Sequence, residues 1–426
     1  WLKPLGRSLP PPRRVHAAGA RAQPAACRWP MEVLHAPTSA GGGEVPTSLC
    51  GGRFEVLREV PVATNQPQFY EGCDTDADAP VAIRLERRKL GGRLEEEARI
   101  LQALASPSLP QGFCAVRFWG LGSPSWNCLV TERLGKSLWH HMKELGVLGL
   151  QNTVLVAKQI LHRIEYLHSK GIVYRDVTPR NFVFGLDRKV HHLHLVDFGL
   201  SKAYWTRDLP GRHVMQKTGA ELVGSMSFMS INAHHRLEQS RRDDIEAIGH
   251  MLVYFMGKLP WADVESLSQE EKSRRILEQK ESIPVPELCR GLPPPIEHLL
   301  ASARGLAFTA RPDYWDLGTR FSTVRKQMGM QHHQFTWLAG SALGGTNPAG
   351  LDPLLKPQHP RQPDDQLVAR STTLLSSFSR NIQGGRTADR RARHHRRGHL
   401  PIHRQRWQAH AEEQRRQAPP RVLSKA

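Results

Sequence analysis

Within IVYRDVTPRNFVFG, residues 172–185, Asp176 and Asn181 stand five apart, and Asp197 opens Asp197-Phe198-Gly199 twenty-one residues after Asp176. One carboxylate placed to accept the proton of an attacking hydroxyl, with an amide and a second carboxylate placed to ligate magnesium, is equipment for taking a phosphoryl group from ATP. A lone Asp-Phe-Gly recurs by chance. The RD-x4-N pattern and Asp-Phe-Gly at this spacing, each on a loop at a strand edge, form a specific pair.

These loops need elements to hold them. PVAIRLERRK (80–89) has the content of a buried strand running into a basic turn, and NCLVTERL (127–134) reads as another. RLEEEARILQAL (93–104) is predicted helical, with Leu94, Ile100, Leu101 and Leu104 on one side. Val154, Ala157, Leu161, Ile164 and Leu167 recur at three and four residues, which predicts a long core helix over 151–169. FVFG and LHLVDFG are two short strands around a turn at 185–191, and DDIEAIGHMLVYFMG (243–257) is apolar enough for a central helix. Strands with one helix, followed mainly by helices, make a two-lobed α+β arrangement.

Apolar periodicity fills residues 53–328, an expected domain with a small β-rich N-lobe at 53–134 and a larger helical C-lobe at 135–328. Residues 1–52 and 329–426 are rich in Pro, Gly and Arg and are expected to be disordered tails. The net charge of +19 is concentrated late: residues 386–426 hold twelve Lys or Arg against three acidic residues. A solvated tail is the plain reading; weak, salt-dependent binding to polyanions is its functional counterpart. Six cysteines without a regular framework fit a reduced cytoplasmic or nuclear setting, and RRARHHRR (390–397) has the composition of a nuclear import signal. No run reaches the length of a membrane span, and the sequence gives no indication of oligomeric state.

LVGSMSFMSINAHHRLEQSRRDDIEAIGHMLVYFMGKLPW (222–261) resembles the casein kinase I group of serine/threonine protein kinases, which carries Ser-Ile-Asn, here Ser230-Ile231-Asn232, where other kinases have Ala-Pro-Glu. RIEYLHSKG and PDYWDLGTRF add to the likeness, which covers about residues 53–328. The resemblance implies a bilobal protein-kinase fold, ATP with Mg2+, and transfer to Ser or Thr of protein substrates. It assigns Asp176 as the base and Asn181 and Asp197 as metal ligands. Thr131 becomes the gatekeeper, and Glu132 to Leu134 line the adenine edge.

Against that family the nucleotide half departs from pattern. Val-Ala-Ile-Lys appears as Val81-Ala82-Ile83-Arg84, so an arginine must contact the phosphates and pair with Glu97. Lys89 is a second cation nearby, more plainly a solvated turn lysine. No glycine stands between Arg53 and Glu71, and Pro61 and Pro67 lack amide donors, which argues against a phosphate-clasping loop. The loop lysine of the family is Thr178. Arg180, at the position where tyrosine kinases carry their loop cation, either replaces its charge or is a surface arginine; both readings stand. Ser227 and Glu265 occupy positions of the family's basic substrate pocket, which predicts no preference for phosphorylated substrates. Two functions are therefore carried forward: a kinase with altered ATP handling, and a pseudokinase acting as scaffold or allosteric partner.

Overall fold

The computed structural model of the chain describes residues 45–60, 67–88, 92–205, 212–262, 267–331 and 334–339. The strand-like runs of the first part pair into one antiparallel sheet. Its members are β1 (Ser48–Leu49), β2 (Phe54–Val60), β3 (Gln68–Asp74), β4 (Ala79–Arg87), β5 (Val116–Ser123) and β6 (Trp126–Glu132), in the order β1-β2-β3-β4-β6-β5. Alternation decides what β4 shows to each side. Val81, Ile83 and Leu85 enter a core with Phe54, Tyr70, Trp126 and Val130. Ala82, Arg84 and Glu86 take the other face, toward helix α1 (Arg93–Leu104).

α1 buries Leu94, Glu97, Ala98 and Leu101, the three-and-four spacing of one helix face. Its first amides are met by a side chain from the strand: Glu86 accepts from the N–H of Arg93 at 3.3 Å and of Leu94 at 3.5 Å.

The second lobe is built on α2 (Leu138–Leu145), α3 (Gly149–Ser169), α4 (Ile231–His234), α5 (Arg241–Met256), α6 (Gln269–Ser282), α7 (Val285–Leu288), α8 (Pro294–Gly305) and α9 (Tyr314–Gln327). Short strands β7 (Ile172–Val173), β8 (Phe182–Phe184), β9 (Leu193–Leu195) and β10 (Lys202–Ala203) carry the loops between α3 and α4. β8 pairs with β9 and β7 with β10, both antiparallel. α5 is buried on nearly every face, as its apolar run predicts, and packs on α3 and α8. The result is a bilobal α+β fold, a β-rich N-lobe followed by a helical C-lobe, as the order of elements in the sequence predicts.

Packed residues extend past both ends of the 53–328 span. The folded body begins before Arg53: Val45 and Leu49 are buried in the sheet core, and Ser48 and Leu49 pair with β2. It also outlasts residue 328. Phe335 is 1% exposed, stacks on Trp337 at 4.7 Å, and meets Phe184 edge-on at 5.1 Å. Neither end has enough residues to show a period in sequence, so only the tertiary contacts reveal them. Lys89, Glu265, Pro61 and the basic run at 386–426 lie outside the described residues.

Candidate active site

Asp176 follows β7 in a loop fixed from beneath by α5. The Asp244 carboxylate accepts from the backbone N–H of Tyr174 at 2.7 Å and of Arg175 at 2.8 Å, and it is itself held by His168 at 2.8 Å. With 1% exposure, Asp244 replaces the missing ladder partners of a tight turn. Arg175 takes the left-handed backbone (φ 68°), and its Nε donates to the Leu200 carbonyl at 2.7 Å.

Asn181 lies against Asp176, donating from Nδ2 to the Asp176 carboxylate at 2.9 Å and to its backbone carbonyl at 3.1 Å. The same asparagine accepts the Val196 N–H at its backbone carbonyl, 3.0 Å, which ties this loop to the one bearing Asp197. Asp197 is the second non-glycine residue of the site in the left-handed region (φ 59°). Such backbone costs about 1–3 kcal/mol per residue and persists where surrounding contacts impose it. Spacing therefore brings Asp176, Asn181 and Asp197 together as expected.

Burial and the neighbouring Asp197 charge push the Asp176 carboxyl up to about 6, against the Asn181 and Ser225 N–H groups that favour its ionised form. Ser225 belongs to the segment 224–229, which closes on the loop. A β-carbon on Gly224 would come within 2.3 Å of the Arg175 carbonyl, and Gly224 itself has φ 98°.

From the N-lobe, Arg84 forms an ion pair with Glu97, which is 1% exposed, and its other Nη lies 3.7 Å from the Asp197 carboxylate. Burial pulls the guanidinium below its ordinary value of 12.5 while Asp197 draws it back. Ala82 faces Thr131 directly across β4 and β6. Past β6 the chain turns into the C-lobe: Gly135 donates to the Phe184 carbonyl at 2.8 Å and Arg133 reaches Glu71 at 3.0 Å. The Glu132 side chain turns to Lys189 at 2.7 Å and the Ala115 N–H at 3.2 Å, and Leu134 beyond it is half-buried.

Arg180 takes a different partner from the one its catalytic assignment expected. Its guanidinium lies 3.8 Å from the centre of the Trp139 ring on α2, a cation–π contact on the exposed side of the loop. Of the two readings of Arg180, this contact accords with the surface arginine. Sequence reasoning also missed Arg93, which lines the cleft with Glu97, Asp176, Asp197 and Pro67. No motif marks it, because its place follows from the packing of α1.

Hard oxygen donors suit magnesium, which takes one or two carboxylates and completes its shell with water and substrate phosphates. The Asn181 amide oxygen and the Asp197 carboxylate, 30% exposed beside the cleft, are donors of that type. Among the described residues no cluster of three or more His, Cys, Asp or Glu forms a complete cage, which is compatible with such a phosphate-sharing site.

Ser230-Ile231-Asn232 has a physical role in the same lobe. The Ser230 hydroxyl accepts the Ala233 N–H at 3.0 Å and donates to Asp243 at 2.7 Å, and the Asn232 amide donates to the same carboxylate at 3.1 Å. The segment after the loop is thus pinned to α5, the helix that fixes the Asp176 turn.

The family model for the protein kinase domain matches residues 70–312, from β3 to the threshold of α9 and across every loop just described. With more than half of the sequence matched and the two-lobed fold in place, the chain belongs to the protein kinase family.

Proposed function

We propose that this chain is an active serine/threonine kinase of casein kinase I type, using ATP and Mg2+ with altered handling of the phosphates. The observation that carries the reading is the Asp176 carboxylate, held by Asn181 at 2.9 Å and by the Ser225 N–H. A base fixed from two sides and raised to about 6 is ionised at neutral pH yet basic enough to accept a hydroxyl proton. Asn181 and Asp197 supply oxygens to the metal, which when bound offsets the phosphate charge. Arg84 remains a cation within 3.7 Å of Asp197, and its pairing with Glu97 fixes α1 against β4. The assignment to the casein kinase I group, and with it Ser/Thr specificity, rests on Ser230-Ile231-Asn232 and the residues around it.

A second reading is favoured by two specific observations. Pro67, which has no amide donor, lines the cleft, and Arg84 is committed to two carboxylates. Both support a pseudokinase in which the fold acts as scaffold. Incubating the full chain with labelled ATP, Mg2+ and casein, followed by phosphoamino-acid analysis, decides between them. Incorporation on Ser or Thr that disappears in Asp176→Asn is the expected result. No incorporation by the wild type, with label appearing in Arg84→Lys, establishes the scaffold reading. For the basic run at 386–426 we propose weak polyanion binding, tested by comparing the chain with and without it across a salt series; equal binding refutes it.

A further inference from the structure

Among the described residues that line the cleft, carboxylates outnumber cations. Glu97, Asp176 and Asp197 all line the cleft, and Arg84 is tied to the first and third of these carboxylates. The N-terminus of α1, another source of positive potential, already has its Arg93 and Leu94 amides facing the Glu86 carboxylate. Arg93 stands at this wall. Its backbone is fixed by Glu86, and its stem runs beside Gly199: a β-carbon on Gly199 would lie 3.8 Å from Arg93 Cβ and 3.9 Å from Cδ. The stem therefore passes close beside the Asp197-Phe198-Gly199 turn.

We propose that Arg93 is a phosphate-binding residue of this kinase, its guanidinium taking the phosphates of the nucleotide from the α1 side of the cleft. The planar fork suits two phosphate oxygens at once, and Arg93 is an exposed residue of the cleft wall. In this arrangement Arg84 serves chiefly to hold Glu97 and α1, and Arg93 supplies the charge for the phosphates. The inference rests on the reading that the cleft holds ATP.

Calorimetric titration of the full chain with a non-hydrolysable ATP analogue and with adenosine, each with and without Mg2+, tests it. Arg93→Ala is expected to weaken the triphosphate by about ten-fold or more while leaving adenosine unchanged, with Arg93→Lys recovering part of the loss. A merely structural arginine would weaken both ligands alike, and that result overturns the proposal, as does no change in either. If the wild type prefers the triphosphate and Arg93→Ala keeps that preference, the role of Arg93 alone falls. If the wild type binds the triphosphate no better than adenosine, the ATP reading falls with it.

Discussion

Arg84 shows how a single substitution redistributes charge without emptying a site. Its fork spans Glu97 and Asp197, so it acts as a strut between β4 and α1. Removing it leaves Glu97, 1% exposed, without its cation, and breaking such a pair costs about 3 kcal/mol. Arg84→Ala should therefore lower the unfolding free energy by that amount, read as a fall in the urea midpoint, whereas Arg84→Lys should keep most of it; an unchanged Arg84→Ala midpoint refutes the strut. Asp176 makes the opposite prediction. Its folded value of about 6 exceeds the ordinary 3.8, so its contribution to stability is full below 3.8 and is lost as pH rises through about 6. At pH 8 the ionised group costs the metal-free fold about 3 kcal/mol. Asp176→Asn should gain a similar amount at pH 8 and nothing at pH 3.5, in parallel melts, while abolishing turnover. For the wild type, kcat/KM should fall below about pH 6 as this base protonates.

At the scale of elements, α6 reaches under the segment beside the active loop through one buried lysine. Lys280 donates to the Met226 carbonyl at 2.9 Å and the Met229 carbonyl at 2.7 Å, with His234 at 3.2 Å. Burial pulls its ammonium from 10.5 down to about 7 against the attraction of Glu246, with Arg304 adding to the fall. A lysine depressed in the fold binds fewer protons there than in the unfolded chain, so its contribution rises between about pH 7 and 10.5. Lys280→Met strips two buried carbonyls of their donor, a loss of about 1–3 kcal/mol at neutral pH. Urea midpoints at pH 7 and pH 9 should show the gap to wild type widening with pH; a constant gap would mean that Lys280 does not titrate there. In sequence Lys280 is one lysine in a charged helix. The strands and helices around the site were legible because periods of two and of three-to-four survive in β4, α1, α3 and α5. What lay beneath Met226 was not, since no local pattern records which carbonyls a distant side chain will meet.

Over the whole molecule, the kinase body is larger than its periodic part. Phe335 and Trp337 close an aromatic cluster with Phe184 and His141, whose ring stacks on Trp337 at 4.1 Å and is pushed down to about 4 by burial. A chain ending at residue 328 should lose about 3 kcal/mol, the cost of emptying one buried aromatic site. Thermal melts of chains ending at 328 and at 339 measure it, and identical midpoints would show that residues 334–339 contribute nothing to the fold.

The sequence by itself brought out three polar side chains, Asp176, Asn181 and Asp197, that folding gathers at one cleft. Asp176 and Asn181 share one loop, and Asp197 follows two short strands later, so chain connectivity alone holds their spacing. It also determined the two-lobed order of elements, through periods that repeat over many residues. Only the tertiary structure decided where the nearby cations lie. It laid Arg180 on Trp139, tied Arg84 to Glu97 and Asp197, and stood Arg93 beside Gly199. The reason is physical: a long cationic side chain goes to whichever ring or carboxylate folding brings within reach, and those partners come from elements far apart in the chain.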